Sequence, residues 1–524
     1  MKPGPSCGVV RWNGFRGVGL IAERVFSVAS EGQQAETPPL LMRTKLAYGV
    51  GQLSDGIRAS GFGLYLFFYY VQVLGLPPEL GGTAIFIAVL FDAFTDPIAG
   101  YISDAWKSRW GRRHPFMYAS AIPSGICFYF TFVPPAGLSE MGLFWWLLGV
   151  SILTRLAMTI FVVPHYALGA ELSEEGKERT SVVSIRYAFF SIGSLLAYAA
   201  AAVFFGPGPE GGDGRLIASN YPPFALVGAL IMVVSIVFTA VGTHHRIPYL
   251  VGAEQTPVAK NRVLGVFTEL WSALQNRNFR FVSLGALMDA LMLGAQLNLM
   301  LFVYTFFWEL STDLMTLAFV GFGVGQLLGT IFLAGPVSAR FERRQVAIFG
   351  AVWYMLFTIV PVALRLIGWF PENGTDALPI VLIALNVIGS MGVVVGYVAQ
   401  GAMIADVTDE HELTTGKRQE GMFYAALSFV GKAPVGIGSM ISGFGLWLIA
   451  WPQGENVKSG ADIPPETLFQ LGILYGPALA IMGMVGIFFY SRYGLDRGVH
   501  AEMQAELALR RGATDSTSPP AGSD

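Results

Sequence analysis

Twelve apolar runs, each long enough to cross a hydrocarbon core of about 30 Å as a helix, constrain this chain more than any other feature. They read at 46–75, 81–106, 116–136, 143–171, 181–206, 222–244, 280–309, 313–338, 345–367, 378–405, 421–451 and 466–491, numbered here as spans one to twelve. A segment in lipid must satisfy its backbone polar groups internally, which leaves helices or closed barrels. No alternating ten-residue strand pattern occurs, so a barrel is excluded. With 53% hydrophobic residues, only 13% charged ones and a mean hydropathy of +0.54, a soluble globular domain is excluded too. The expected fold class is an all-α membrane protein with twelve transmembrane helices and the lipid bilayer as its first partner. A net charge of -3 gives no reason to expect nucleic acid.

Basic residues follow the even-numbered spans: Lys107, Arg109, Arg112 and Arg113 after span two, Lys177 and Arg179 after span four. Arg340, Arg343 and Arg344 follow span eight, and Lys417 and Arg418 follow span ten. The central link adds Arg246, Lys260, Arg262, Arg277 and Arg280, whereas the opposite loops carry only Arg215, Arg365 and Lys458. The positive-inside rule then puts both termini in the cytoplasm of a multi-pass protein of the plasma (inner) membrane. Residues 1–42 have no secretory core and read as a disordered or misassigned extension, with Met42 as an alternative start. Residues 496–524 read as a cytoplasmic tail ending in a polar, disordered TDSTSPPAGSD. Cys7 and Cys127 imply no disulfide framework.

The chain repeats itself. AELSEEGKER (170–179) follows span four and ADVTDEHELTTGKR (405–418) follows span ten, so Glu171 and Asp406 head similar acidic turns. The same offset carries span one onto span seven and Asp55 to within one residue of Asp289. Two pseudo-symmetric six-helix bundles are expected, 43–244 and 280–495, joined by a 245–279 cytoplasmic link in which FTELWSALQNRNF can form an interfacial helix. GPVSARFERR (335–344) echoes the basic loop after span two, yet span eight has no counterpart of Asp92 and Asp96.

Those two acids, in FDAFTDP at 91–97, are four residues apart and so share one face of span two. Ionised carboxylates in a membrane interior need a positive charge or a polar cavity. Thr95 adds an oxygen, and Pro97 leaves the carbonyl of residue 93 without its helical donor. Such hard oxygens suit sodium, and a proton can use the same carboxylates. The competing reading protonates both acids or pairs them with Arg155 of span four and Lys432 of span eleven.

Asp104, Arg112 and Arg113 around the turn after span two form a candidate conformational latch, with Glu171, Arg179 and Arg186 and the set Asp406, Asp409 and Arg418 supplying comparable ones. Arg58 can pair with Asp55 on its own helix face. Arg155 has no local partner in sequence and either lies near the outer mouth or faces an anionic group of a substrate. Lys432 either neutralises the span-two acids in the ion-free state or forms a structural pair. His165, after Pro164, is a cavity-facing titratable group or a packed one. Met and aromatic side chains along spans seven and nine read as packing, and no cofactor is expected.

Several motifs in order make the chain resemble the glycoside-pentoside-hexuronide cation symporters of the major facilitator superfamily, in their melibiose-permease-like form. They are RTKLAYGVGQLSDG (43–56), FDAFTDP, GYISDAWKSRWGRRHPF (100–116), VPHYALGAEL followed by ERT and Arg186, and ADVTDEHELTTGKRQEG (405–421), and the likeness runs from 43 to about 495. The resemblance implies cation ligands at Asp92, Thr95 and Asp96, joined by Thr159 of span four, with sodium favoured over protons. It implies sugar contacts at Arg186 and at Tyr166, which stands where the relative has a tryptophan, and a lysine near the ion at Lys432. The chain departs from that pattern at Val162, where the relative has a sugar-binding aspartate, and at Gly56, with Asp55 one place early. With Met158 beside Val162, these changes imply a more apolar wall and disfavour a galactoside of the melibiose type. An aryl glycoside, another small organic solute or a lysolipid fits that wall.

The expected function is cation-coupled symport of a small organic solute by alternating access, by a monomer, which is the default for this fold. A sodium-dependent lysolipid carrier is the alternative within transport. An intramembrane enzyme would need facing aspartates, and here both lie on one helix; a receptor on a carrier fold is the remaining class.

Overall fold

The computed structural model describes residues 40–172, 176–207, 212–250, 273–415, 436–454, 457 and 459–516, and among these all regular structure is helical. Among the described residues, nine helices are long and apolar enough to cross a membrane. They are Pro78–Ala105, Glu140–Glu171, Glu178–Phe204, Ala218–His244, Arg277–Phe307, Thr312–Arg340, Arg343–Leu366, Ala377–Thr415 and Pro465–Ser491, which are spans two, four to ten and twelve. Span three is the helix His114–Thr131, and Gly436–Leu448 is the described part of span eleven. Span one is built from Met42–Val50 and Gln52–Ser60, followed by wider π-helical turns at Gly61–Leu66 and Tyr69–Val73. A π-helical turn recurs in span seven at Val303–Phe307, where the duplication would put it.

Packing follows the same duplication. Span two packs on span four, three on four and six, and one on five and six; in the second half, span eight packs on ten, nine on ten and twelve, and seven on twelve. Each bundle thus buries its own seams with the same helix order, as duplicated sequences require.

One crossing explains a departure noted in the sequence. A Cβ at Gly56 would lie 2.2 Å from the Phe190 carbonyl oxygen, and one at Gly193 would lie 2.5 Å from that of Leu53. Spans one and five touch backbone to backbone there, so residue 56 cannot carry an acid, and the span-one carboxylate stands at 55. Gly56→Ala is expected to cost about 1–3 kcal/mol through forced separation of the two helices, read as a lower melting temperature of the purified protein.

Three segments differ from the sequence expectation. Span seven starts at Arg277 because Asn276 caps it, its side chain accepting from the Phe279 amide; this ends the expected interfacial helix before its last residues, and 251–272 of the link lie outside the described residues. Span ten runs on to Thr415, so the acidic turn at 405–415 is helix. The C-terminal tail opens as a helix, Arg497–Ser516, docked along span ten with Met503 and Leu507, four residues apart, buried.

The two halves meet at the ends away from the basic loops. Span one packs on span seven and span five on span eight. Phe67 and Phe68 meet Phe302, Phe68 meets Phe306, and both Phe302 and Phe306 meet Trp451. Trp451 Nε1 donates to Gln72 Oε1 at 2.8 Å. Among the described residues, these hydrogen bonds and ring contacts between halves lie toward this closed end.

Candidate functional site

Spans two and four run in the same direction and present matching faces. Arg155 Nη1 donates to Asp92 Oδ2 at 2.7 Å, and Thr159 Oγ1 donates to Asp96 Oδ1 at 2.7 Å. Both pairs are separated by 63 residues, so a single register brings two positions four apart on one helix against two positions four apart on the other. Arg155 therefore has a partner in Asp92, the pairing that the competing reading of the sequence held for that acid. Its guanidinium also lies 5.6 Å from the Phe62 ring centre, which holds the charge over an aromatic face. Thr95 turns its hydroxyl back along its own helix, donating to the Phe91 carbonyl at 3.2 Å.

Asp92 Oδ1 is buried and makes no hydrogen bond among the described residues. A buried, unsatisfied carboxylate oxygen is costly, and a monovalent cation or a proton beside it would satisfy it.

Asp55, toward the same half of the molecule, is 6% exposed and accepts from Arg58 Nη2 at 2.6 Å and Nε at 3.1 Å. Tyr166 extends its hydroxyl to Asp55 Oδ2 at 3.4 Å, and the Arg186 guanidinium lies 4.2 Å from the Tyr166 ring centre. Four residues from spans one, four and five thus form one polar cluster with an aromatic face. Tyr166 is exposed and Val162 half-buried, whereas Met158, at 2% exposure, presents little wall to any ligand in this state. His165 is the packed alternative: fully buried, it stacks on Tyr48 with ring centres 4.3 Å apart and bonds the Tyr48 carbonyl at 2.9 Å.

The latch residues pair within halves. Arg112 and Arg113 both reach Glu171 Oε1 at 2.8 Å, and Arg113 also reaches Asp104 Oδ1 at 2.5 Å. In the second half Arg343 pairs with Asp406, and His500 of the C-terminal helix lies 3.1 Å from Asp406 and 3.2 Å from Asp409. The two acidic turns therefore do the same work in each bundle, tying its basic-loop ends together. Arg179 is exposed at the start of span five. Arg418 and Lys432 lie outside the described residues.

Sequence reasoning missed Arg215. It is 2% exposed, bound to Asp213, and donates across to the other half, to the Leu310 carbonyl at 2.6 Å and to Met315 Sδ at 3.2 Å. Its only signal was an arginine in an otherwise base-poor loop. The Met300, Tyr304 and Tyr354 side chains, read as packing, in fact line a cavity in the second bundle.

Comparison with known proteins agrees with this architecture. A model of the MFS/sugar transport protein family matches residues 47–497. An uncharacterized symporter of Synechocystis is 25% identical, over 91% of this chain and 99% of that one. The isoprimeverose transporter of Lactiplantibacillus pentosus is 25% identical over 90% and 93%, and a sodium-dependent lysophosphatidylcholine symporter of Danio rerio is 23% identical over 91% of each. The crystal structure of the nucleoside transporter NupG superposes with a TM-score of 0.58 at 11% identity, covering 86% of this chain and 99% of that one, which shows the fold. The chain belongs to the MFS/sugar transport protein family, as a membrane transporter of the major facilitator superfamily.

Proposed function

We propose that this secondary symporter couples the entry of one monovalent cation, sodium by preference and a proton as the alternative, to that of a small glycoside-type solute. The observation that carries the reading is the buried, unsatisfied Asp92 Oδ1 beside the oxygens of Asp96 and Thr159. With the basic loops cytoplasmic, the closed aromatic end faces outward and the ion cluster faces the cytoplasm, so the described state is inward-facing. In it, the tethered guanidinium of Arg155 occupies part of the ion's coordination. A cation entering from outside satisfies the Asp92 carboxylate, and the polar cluster at Asp55, Arg58, Tyr166 and Arg186 binds solute hydroxyls across the same bundle. The lysolipid alternative draws support from the Danio rerio relative's name alone.

The test is uptake into proteoliposomes of a panel of uncharged methyl glycosides under an imposed sodium gradient, an imposed proton gradient, or neither, at matched membrane potential. Accumulation above equilibrium with sodium is expected. Equilibration without accumulation under every gradient would remove coupling. Arg155→Gln is expected to raise apparent sodium affinity about tenfold or more, since it removes a competing charge within contact distance of Asp92; sodium titration by calorimetry at fixed pH reads this.

A further inference from the structure

The second bundle holds a cavity of about 130 Å³, walled by Tyr304, Phe319 and Tyr354 of spans seven, eight and nine, with Leu64 and Tyr198 of the first bundle closing one side. Its position and lining set it apart from the ion cluster and from the polar cluster at Asp55. The Tyr304 and Phe319 rings are near parallel, 12° apart with centres 6.0 Å from each other, and Tyr198 sits 5.1 Å from Phe319. No charged side chain lines the cavity among the described residues, so a charged group entering it would lose hydration without a counter-charge.

One polar group inside is unsatisfied. Gln296 is 2% exposed and its Oε1 accepts from the Tyr354 hydroxyl at 2.8 Å, while its Nε2 is buried without a partner. A donor left in that condition costs about 1–3 kcal/mol, which a ligand acceptor would recover. The size is equally specific, since a dry cavity of about 150 Å³ takes a benzene ring.

We propose that this cavity is a subsite for a single uncharged ring, with a hydrogen-bond acceptor for Gln296, carried by the transported solute as an aglycone. This rests on the symport reading above, with the sugar held at the polar cluster of the first bundle. Leu64 stands six residues beyond Arg58 on span one, a rise of roughly 9 Å along the helix. The substrate class is therefore an aryl glycoside.

The experiment is calorimetric binding to the purified full-length protein of 4-nitrophenyl and methyl glycosides of glucose, galactose and xylose, in matched pairs. The aryl member of at least one pair is expected to bind about tenfold or more tightly than its methyl partner, the gain for burying one ring. In Thr358→Phe, which fills the cavity, that ratio is expected to fall to near one; Gln296→Leu, which keeps the volume and removes the donor, covers the case in which Thr358→Phe does not fold. Equal affinities within every pair, or an aryl advantage that survives both variants, would overturn the subsite and leave the symport reading standing. Absence of binding by every glycoside would overturn it as well, and gradient-driven uptake then judges the symport reading separately.

Discussion

Asp96→Asn is expected to abolish cation-driven accumulation while leaving a folded protein. Asp96 accepts from Thr159 at 2.7 Å, and an amide of the same shape can keep a contact with that hydroxyl, so the packing of spans two and four survives. The carboxylate charge that Asp96 brings to the cluster disappears, however, and with it part of the attraction for a cation. Losing one charged partner from a buried site costs about 2–5 kcal/mol, so sodium affinity should fall at least about thirtyfold. Asp92→Asn should differ in kind. It strands the Arg155 guanidinium, only 7% exposed, without its carboxylate, and a stranded buried charge destabilises by about 3–5 kcal/mol. Sodium calorimetry and thermal melting on the same preparations separate the two: Asp96→Asn loses binding at a near-native melting temperature, and Asp92→Asn loses both. Unchanged sodium binding in Asp96→Asn would remove that carboxylate from the ion site.

Arg215→Ala is expected to shift the equilibrium between inward-facing and outward-facing states. Arg215 is the one described cation that donates across the closed ends, to Leu310 and Met315, next to the Thr312 hydroxyl that donates to the Phe205 carbonyl at 2.7 Å. Truncation leaves the Leu310 carbonyl short of a donor and removes one of few polar clasps between the bundles. At about 2–3 kcal/mol the ratio of outward-facing to inward-facing molecules rises roughly 30- to 160-fold. A cysteine placed at Gln72, which is buried in the closed end, should then react with a membrane-impermeant thiol reagent much faster than in the otherwise unaltered background. Equal reactivity would mean that the aromatic cluster alone holds this end shut.

The sequence by itself determined what depends on position along one helix. Apolar length fixed where the spans lie, because lipid offers the backbone no partner. Spacing of three and four put Asp92 with Asp96, and Asp55 with Arg58, on common faces. The duplicated acidic turns foretold two bundles, and both pack in the same helix order. What needed the tertiary structure was every relation between helices. Arg155 meets Asp92, and not an outer mouth, because spans two and four share one register, and a shift of a single residue, about 1.5 Å of rise and 100° of rotation, would have undone it. Gly56 excludes an acid only because span five crosses at backbone contact. Arg215 belongs to a clasp, and the aromatics of spans seven and nine to a cavity, only once the halves are docked. Local periodicity encodes which face a side chain takes; helix crossing and register decide what that face meets.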